Sequence, residues 1–168
     1  MIEVGFASTP EQLDQVRGLM RAFVAWHRQR HTDDLQLIDD YFDANAFEEE
    51  LASLPGKYSP PLGRLLLARH DIEPAGCVAL RQLDDQVCEM KRMFVPSHLR
   101  GVGVGRVLAN AVIDEARTIG YSVMRLDTSI RQVEAQRLYE GFGFVRTEPY
   151  YELPEEMAAW LVFMELQL

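Results

Sequence analysis

Three glycines within five residues separate a strand-like segment from a long helical pattern. Gly101, Gly103 and Gly105 follow the apolar run Val87–Val95 and precede apolar residues spaced three and four apart, which end at Gly120. Glycine lets a backbone approach a ligand closely, and the N–H groups of a helix's first turn have no partner within the helix. The segment therefore predicts an anion site at a helix N-terminus.

Two common phosphate-binding motifs do not fit these glycines. No lysine follows them, which excludes a P-loop. A dinucleotide fingerprint needs Gly-x-Gly-x-x-Gly or Ala, but its last position is Arg106 when counted from Gly101 and Leu108 when counted from Gly103. A tight loop whose glycines serve geometry alone is the alternative interpretation, and the sequence leaves it open.

Hydrophobic periodicity and capping signals predict the other elements. In order, they are a strand at Ile2–Phe6, a helix that begins after Thr9 at Pro10, a helix over about Tyr41–Leu54, strands at Arg64–Arg69, Gly76–Gln82 and Val87–Val95, a helix from Val104 to Ile119, a strand at Ser122–Asp127, a helix at Gln132–Glu140 and a strand at Ala159–Leu166. The three central strands are predicted to form an antiparallel meander. We therefore predict one α/β (α+β) domain over residues 1–168, with helices on the faces of a mixed sheet.

Length and composition exclude several classes of protein. A chain of 168 residues, 48% hydrophobic and 26% charged, is typical of one globular domain. Its net charge of −9 opposes binding to nucleic acids and anionic membranes. No apolar run reaches the ~18 residues of a membrane span, and the first residues lack the features of a signal peptide. With Cys77 and Cys88 in apolar runs without Cys-x-x-Cys spacing, we expect a cytoplasmic protein with reduced thiols.

Two motifs resemble the GNAT superfamily of acyl-CoA-dependent N-acetyltransferases. Arg-x-x-Gly-x-Gly at Arg100–Gly105 is similar to that family's Gln/Arg-x-x-Gly-x-Gly/Ala motif. Ala135–Phe144 is similar to its Ala-x-x-Leu-Tyr-x-x-x-Gly-Phe segment, and Cys88–Val95 looks like its central fourth strand. The resemblance covers residues 64 to 146. It implies a mostly antiparallel mixed sheet that is splayed at its middle strands and has helices on both faces.

The resemblance implies acetyl-CoA as co-substrate and no metal. Main-chain N–H groups from Gly101 to Arg106 would hold the pyrophosphate, and main-chain atoms of Met93–Val95 the pantetheine and acetyl group. The full set of implied cofactor contacts is Met93, Phe94, Val95, Arg100, Gly101, Val102, Gly103, Val104, Gly105, Arg106, Gln132 and Arg137. The chain departs from the family at Gln132, where many members have Asn seven residues before the helix tyrosine.

The charge distribution supports a polyphosphate ligand independently. Residues 91–146 contain nine Lys/Arg and five Asp/Glu, although the whole chain is acidic. Arg106, Arg131 and Arg137 are candidate phosphate partners, and solvated helix faces are the alternative. His27 and His31, one helical turn apart, lack the adjacent glutamate of a zinc-hydrolase motif, so they do not predict a metal site.

Acetyl transfer to an amine needs a proton acceptor, because an alkyl amine with a pKa near ~10.4 is almost fully protonated at neutral pH. The resemblance implies that Glu89, eleven residues before Arg100, is a general base, directly or through water. Strand alternation predicts that Glu89 shares one face with Val87, Lys91 and Met93. The alternative for Glu89 is an ion pair with Lys91 or Arg92, which would lower its pKa and weaken it as a base.

Tyr139 occupies the tyrosine position of the second motif. The resemblance implies that its phenol donates a proton or a hydrogen bond to the departing thiolate. The alternative is a core aromatic that packs beside Leu138 and Phe142.

Acidic residues concentrate in the region that would border the acceptor. Between His31 and Gly56 the sequence has eight acids and no Lys or Arg; the acids are Asp33, Asp34, Asp39, Asp40, Asp43, Glu48, Glu49 and Glu50. A negative rim predicts a small-molecule or peptide amine, cationic in character, and an ordinary solvated surface is the alternative. Further aromatic candidates for the pocket or the core are Tyr41, Phe42, Tyr150 and Tyr151.

Two other functions compete with an enzyme. A non-catalytic acyl-CoA-binding module would keep the glycine segment and need neither Glu89 nor Tyr139, so the presence of both favours catalysis. A structural domain with an empty loop is the third interpretation. A homodimer is compatible with each of them.

Overall fold

Helix α1 begins where the capping signals place it. The computed structural model describes all residues, 1–168, and in it β1 (Ile2–Phe6) leads into α1 (Pro10–Arg30). The Thr9 hydroxyl accepts the Gln12 N–H at 3.3 Å, and the Gln12 side chain accepts the Thr9 N–H at 3.1 Å. This reciprocal pair is a capping box, which satisfies N–H groups that the helix leaves free.

The remaining elements complete a seven-stranded sheet with helices on both faces. The helices are α2 (Leu35–Tyr41), α3 (Ala44–Ser53), α4 (Val104–Ile119), α5 (Val133–Gly141) and α6 (Glu155–Trp160), and the strands are β2 (Arg64–His70), β3 (Glu73–Gln82), β4 (Val87–Phe94), β5 (Val123–Ser129), β6 (Val145–Thr147) and β7 (Leu161–Gln167). The strand order is β1-β2-β3-β4-β5-β7-β6, and only β4 and β5 pair in parallel. The predicted fold class and the central meander are confirmed.

Three local predictions need correction. The helix predicted over Tyr41–Leu54 begins later, as α3, because the chain turns at Phe42 and Asp43 caps α3 by accepting the Ala46 N–H at 2.9 Å; helix α2, which ends at Tyr41, was not predicted. Strand β6 and helix α6 were not predicted, since each is too short to show a hydrophobic period. The last strand accordingly begins at Leu161 rather than Ala159.

The middle of the sheet is open. Strands β4 and β5 pair only over Val87–Glu89 and Val123–Arg125. Beyond these three residue pairs β4 continues to Phe94 and β5 to Ser129 without bonding to each other. The sheet is therefore splayed at its middle strands, as expected from the resemblance.

A β-bulge at Arg92 changes which side chains share a face of β4. Arg92 has a φ of 59°, and the register with β3 shifts at the same level. An extra residue in one strand reverses the alternation that follows it. Met93 therefore packs with Cys88 and Met90 in the core beside α4. The prediction that Met93 shares a face with Glu89 is wrong for this reason.

Each face of the sheet has its own hydrophobic core. The first core, beside α4 and α5, includes Leu108, Met124 and Met164. The second core, beside α1, α2, α3 and α6, includes Met20 and Ile38. Both cores contain residues from strands on either side of the splay.

Helix α4 approaches β3 closely at Gly76. A Cβ atom at this position would lie 2.7 Å from the carbonyl oxygen of Phe94 and 2.9 Å from the Leu108 Cδ1 atom. Both distances are too short for any side chain. The lack of a side chain at Gly76 therefore allows α4 to pack this closely against β3 and the end of β4.

The bulge is anchored by a charged contact. The Arg92 guanidinium donates to both oxygens of Glu50, at 2.9 and 3.2 Å, and lies over the rings of Phe42 and Phe47. Lys57 lies 3.0 Å from the same carboxylate. Burial opposes ionisation of Glu50, but Arg92 and Lys57 lower its pKa from 4.5 to about 2.

The depressed pKa of Glu50 makes the fold sensitive to acid. The ionised Glu50 carboxylate stabilises the folded state above pH 4.5, and this contribution is lost as the pH falls toward 2. We expect this group to remove about 2 kcal/mol of the free energy of unfolding between pH 6 and pH 3, measured by urea denaturation. The Glu50→Gln variant should lack this component, whereas the exposed neighbour variant Glu49→Gln should retain it. Equal pH dependence in wild type and Glu50→Gln would contradict the assignment.

Candidate active site

The glycine segment presents a continuous run of free backbone donors. None of the N–H groups from Gly101 to Arg106 has a hydrogen-bond partner within the chain, whereas the flanking N–H groups of Arg100 and Val107 are bonded to Ser97 and Gly103. Gly101 and Gly103 have φ values of 84° and 99°, a region that favours glycine. With the dipole of α4 behind them, six free donors make an anion site.

These donors open onto a groove of about 440 Å³. Ten of the twelve predicted cofactor residues line it; they are Met93, Phe94, Val95, Arg100, Gly101, Gly103, Val104, Gly105, Arg106 and Gln132. The other two, Val102 and Arg137, are exposed and do not line it. The groove runs from the start of α4 to the gap between β4 and β5.

Residues from α1 and α5 close the groove. Arg100 donates to the Val95 carbonyl at 3.0 Å, and its guanidinium lies 4.2 Å from the Trp26 ring centroid. Phe23 also lines the groove. Sequence reasoning missed Phe23 and Trp26, because aromatic residues in a helix give no signal that separates a groove wall from the core. Among the candidate arginines, Arg106 lines the groove, whereas Arg131 pairs with Asp34 at 2.9 Å.

A smaller cavity of about 50 Å³ occupies the splay itself. Tyr139 and Gln132 line both this cavity and the groove, so they stand where the two meet. The Gln132 side chain accepts from the Thr128 hydroxyl at 2.7 Å and the Ser129 N–H at 3.3 Å. Burial, with Asp127 adding to it, raises the pKa of Tyr139 well above its ordinary value. The phenol is therefore protonated at neutral pH.

His27 forms an uncharged part of the cavity wall. It lies beside Phe23 and Phe42, and burial, with smaller contributions from His31 and Arg100, lowers its pKa to about 4. The two cysteines do not line the cavity, and burial raises the pKa of each thiol to about 12. Their role as buried strand residues agrees with the sequence interpretation.

Glu89 is buried, and both oxygens of its carboxylate accept hydrogen bonds. Only 1% of it is exposed, and it accepts from Arg81 at 2.7 Å and from the Tyr150 hydroxyl. Burial alone would raise the pKa of Glu89, but Lys91, Tyr150 and Arg81 together hold it below its ordinary value. The close ion-pair partner of Glu89 is Arg81, which was not predicted; Lys91 lies 4.0 Å from Glu89, and Arg92 pairs with Glu50 instead. Glu89 lines a second cleft rather than the cavity in the splay.

This second cleft, of about 470 Å³, lies between α2, β3, β4 and the segment before α6 and shares no lining residue with the groove. Lys91 and Tyr41 line both the cleft and the cavity in the splay. The Tyr41 hydroxyl accepts from Lys91 at 3.3 Å and donates to Asp127, which also accepts from Tyr151 at 2.6 Å. Sequence reasoning missed Asp127 as a site residue, although its position at the end of a strand was visible.

Half of the acidic run is paired with cations of the chain. Asp34 pairs with Arg131, Asp39 with Arg28, Glu48 with Arg21, and Glu50 with Arg92 and Lys57. Asp40 lines the second cleft, and Asp43, Glu49 and Glu50 line a further cleft of about 550 Å³ beside Arg92. A cationic acceptor therefore stays a prediction.

A comparison with known families decides the identity of the fold. A profile of the Acetyltransferase (GNAT) family matches residues 20–144. The chain belongs to the GNAT acetyltransferase family.

Individual GNAT relatives agree over most of the chain. It is 36% identical to an uncharacterized N-acetyltransferase of Schizosaccharomyces pombe, over 99% of this chain and 95% of the relative. It is 34% identical to N-acetylaspartate synthetase of Danio rerio, over 68% of this chain and 42% of the relative. The structure of the PaiA N-acetyltransferase from Thermoplasma acidophilum, in complex with coenzyme A, matches with a TM-score of 0.73 at 15% identity and covers 100% of this chain and 99% of its own.

None of the helices in this GNAT protein has the length and apolarity to cross a membrane.

The two ends of α4 provide a matched test of the groove. Gly103 and Gly120 flank the helix with φ values of 99° and 109°, and a Cβ atom at either would meet nothing closer than 3.9 Å. Gly103→Ala and Gly120→Ala should each lower the free energy of unfolding by about 1–2 kcal/mol through backbone strain. Only Gly103→Ala should raise the Kd for acetyl-CoA, by roughly tenfold, because it displaces free donors. Calorimetric titration measures this, and equal Kd values in both variants would argue against the anion site.

Proposed function

We propose that this protein transfers the acetyl group of acetyl-CoA to a primary amine of a small molecule or peptide, by direct attack in a ternary complex. The observation that carries the proposal is that the groove and the second cleft both border the small cavity in the splay. A groove with six free backbone donors and a second, chemically different cleft share no lining residue, but each shares residues with the small cavity that Tyr139 lines. Two substrates can therefore meet there without crossing.

The groove suits coenzyme A in its chemistry. The free N–H groups of Gly101–Arg106 match a pyrophosphate, and the apolar stretch beside Phe23 and Leu138 matches the pantetheine chain. The PaiA structure with the same fold contains coenzyme A, which supports this choice. The relative from Danio rerio is named for the synthesis of N-acetylaspartate, an acetylated small amine.

The reaction forms one bond and breaks one. The neutral amine nitrogen attacks the thioester carbonyl carbon, a C–N bond forms, the C–S bond breaks and the sulfur leaves with the electron pair. One proton leaves the nitrogen and one reaches the sulfur. The chain must therefore provide a proton acceptor on the acceptor side and a donor near the sulfur.

Tyr139 is the proposed general acid. Its raised pKa keeps the phenol protonated, so it can donate to the sulfur as negative charge develops. A thiolate of pKa ~8.5 is a weaker base than this phenolate. The larger part of the effect of Tyr139 is therefore a hydrogen bond to the sulfur in the transition state, and protonation of the sulfur follows.

Glu89 is the proposed general base, acting through water. It is ionised at neutral pH and lines the acceptor cleft, but it lies one residue pair earlier along the sheet than the open part of the splay. Asp127 is a second candidate, favoured by its position in the cavity with Tyr139. Hydrogen bonds through Tyr41 and Lys91 join Asp127 to the neighbourhood of Glu89.

A non-catalytic acyl-CoA sensor needs only the groove. A buried phenol between the groove and a second cleft has no use in such a module, which is why we favour an enzyme. Thermal unfolding with acetyl-CoA tests both together: a ligand at about 100 times its Kd adds ~2.7 kcal/mol of stability. A shift without thiol release across a broad amine panel would favour the sensor, and no shift would exclude both.

The Tyr139→Phe variant separates chemistry from binding. The ring keeps its contact with Phe144, whose centroid lies 5.8 Å away, while the hydroxyl is lost. We expect kcat to fall by about 10²-fold or more, with the Kd for acetyl-CoA unchanged within a factor of two or three. Free-thiol release and calorimetry measure the two quantities. An unchanged kcat would remove Tyr139 from the mechanism.

Paired substitutions assign the base. Glu89→Gln should lower kcat by about 10²-fold at neutral pH if Glu89 accepts the proton, and acetyl-CoA should still raise the melting temperature. Asp127→Asn is the matched neutral variant in the cavity. If Asp127→Asn alone loses turnover, the base is Asp127 and the proposal for Glu89 is wrong.

A further inference from the structure

Lys91 is a buried cation with too few partners. Its side chain is 14% exposed, and the ammonium donates one long hydrogen bond, at 3.3 Å, to the Tyr41 hydroxyl. The nearest carboxylate oxygen, on Glu89, is 4.0 Å away. An ammonium has three donors, and burying a charge without strong partners is costly. Burial accordingly lowers the pKa of Lys91, although Asp127 and Glu89 act in the opposite direction.

The neighbouring arginines have stronger partners or more access to solvent. Arg92 makes two hydrogen bonds to Glu50, and Arg81 makes one to Glu89 at 2.7 Å. The Arg81 side chain is 34% exposed, so water can reach its other donors. Lys91 is therefore the mostly buried cation of this part of the sheet that lacks a short contact with a carboxylate.

Lys91 stands on the path of the acceptor. It lines both the 470 Å³ cleft and the cavity in the splay, which it shares with Asp127 and Tyr139. No ion pair joins Lys91 to Asp127, and the Tyr41 hydroxyl bridges them. A positive and a negative group, separated by one hydroxyl, thus face the same small space.

We propose that the acceptor is an amino acid, and that Lys91 binds its carboxylate while the amine lies between Asp127 and Tyr139. This inference rests on the proposed function and narrows its substrate class. The single bridging hydroxyl limits the spacing of the two charges, which favours an amine and a carboxylate on the same or adjacent carbon atoms. A carboxylate on Lys91 forms a charged hydrogen bond, which the protein itself does not provide.

The stability of Lys91 variants distinguishes a binding role from a structural one. Replacing a poorly paired buried ammonium by an apolar side chain of similar length removes a desolvation cost, while Glu89 keeps Arg81 and Tyr150 as partners and Asp127 keeps Tyr41 and Tyr151. The melting temperature of Lys91→Met should therefore equal or exceed that of wild type. A fall of several degrees would show that Lys91 is a structural counter-ion of Glu89 and Asp127, and would overturn the proposal.

The decisive experiment compares amino acids with matched amines that lack the carboxylate. Free-thiol release from acetyl-CoA is measured with the twenty amino acids, their amides and their decarboxylated amines. Wild type should prefer at least one amino acid over its amide. In Lys91→Met, KM for that amino acid should rise about 10- to 100-fold, and the preference for the amino acid over its amide should be lost. Lys91→Arg should recover part of the preference, and Lys57→Met, which alters an exposed lysine paired with Glu50, should keep it.

A binding measurement separates this proposal from the proposed function. Thermal unfolding of the protein saturated with CoA is followed with each amino acid and its amide. A shift caused by an amino acid in wild type but not in Lys91→Met supports the carboxylate site even if no thiol is released, in which case only catalysis fails. The proposal is overturned if wild type prefers amides or plain amines, or if Lys91→Met loses activity equally toward acids and amides. It is also overturned if no amino acid is used or causes a shift.

Discussion

The separation of β4 from β5 determines what this protein can do. Two parallel strands that stayed paired would fill the centre of the sheet and leave no gap for the groove and the second cleft to reach. Pairing stops after Glu89 and Arg125, and β4 carries a bulge at Arg92 in the part that no longer pairs with β5. The contact of Arg92 with Glu50, Phe42 and Phe47 holds a non-glycine residue in a conformation that it rarely adopts.

Local signals in the sequence were sufficient for most of the fold. The capping residues of α1, the alternation of the central strands and the glycines that bound α4 are short-range features, and each predicted its element to within a few residues. The fold class also followed from the order of elements. What failed was short or depended on distant partners: α6 and β6 have too few residues for a period, and the bulge at Arg92 is stabilised by a carboxylate forty-two positions earlier.

The sequence also predicts one part of the candidate site better than the other. The predicted cofactor residues lie in the short segments 93–95 and 100–106 and at α5, so a linear pattern locates them, and ten of the twelve line one groove. The second cleft and the small cavity beside it are assembled from α2, β3, β4, β5 and the segment before α6, and no linear pattern joins Tyr41 to Asp127. Charge counting alone is a weak guide at this side, because four of the eight acidic residues of 31–56 are paired with arginines elsewhere in the chain.

The two cores that continue across the splay have a consequence for ligand binding. Side chains above and below the gap, such as Met164 on one face and Phe163 on the other, pack with residues from both halves of the sheet. We expect a gap that is packed on both faces to have the same width with and without ligand. The protein then loses little conformational entropy when it binds the thioester, so the contacts with the main-chain donors contribute more fully to affinity.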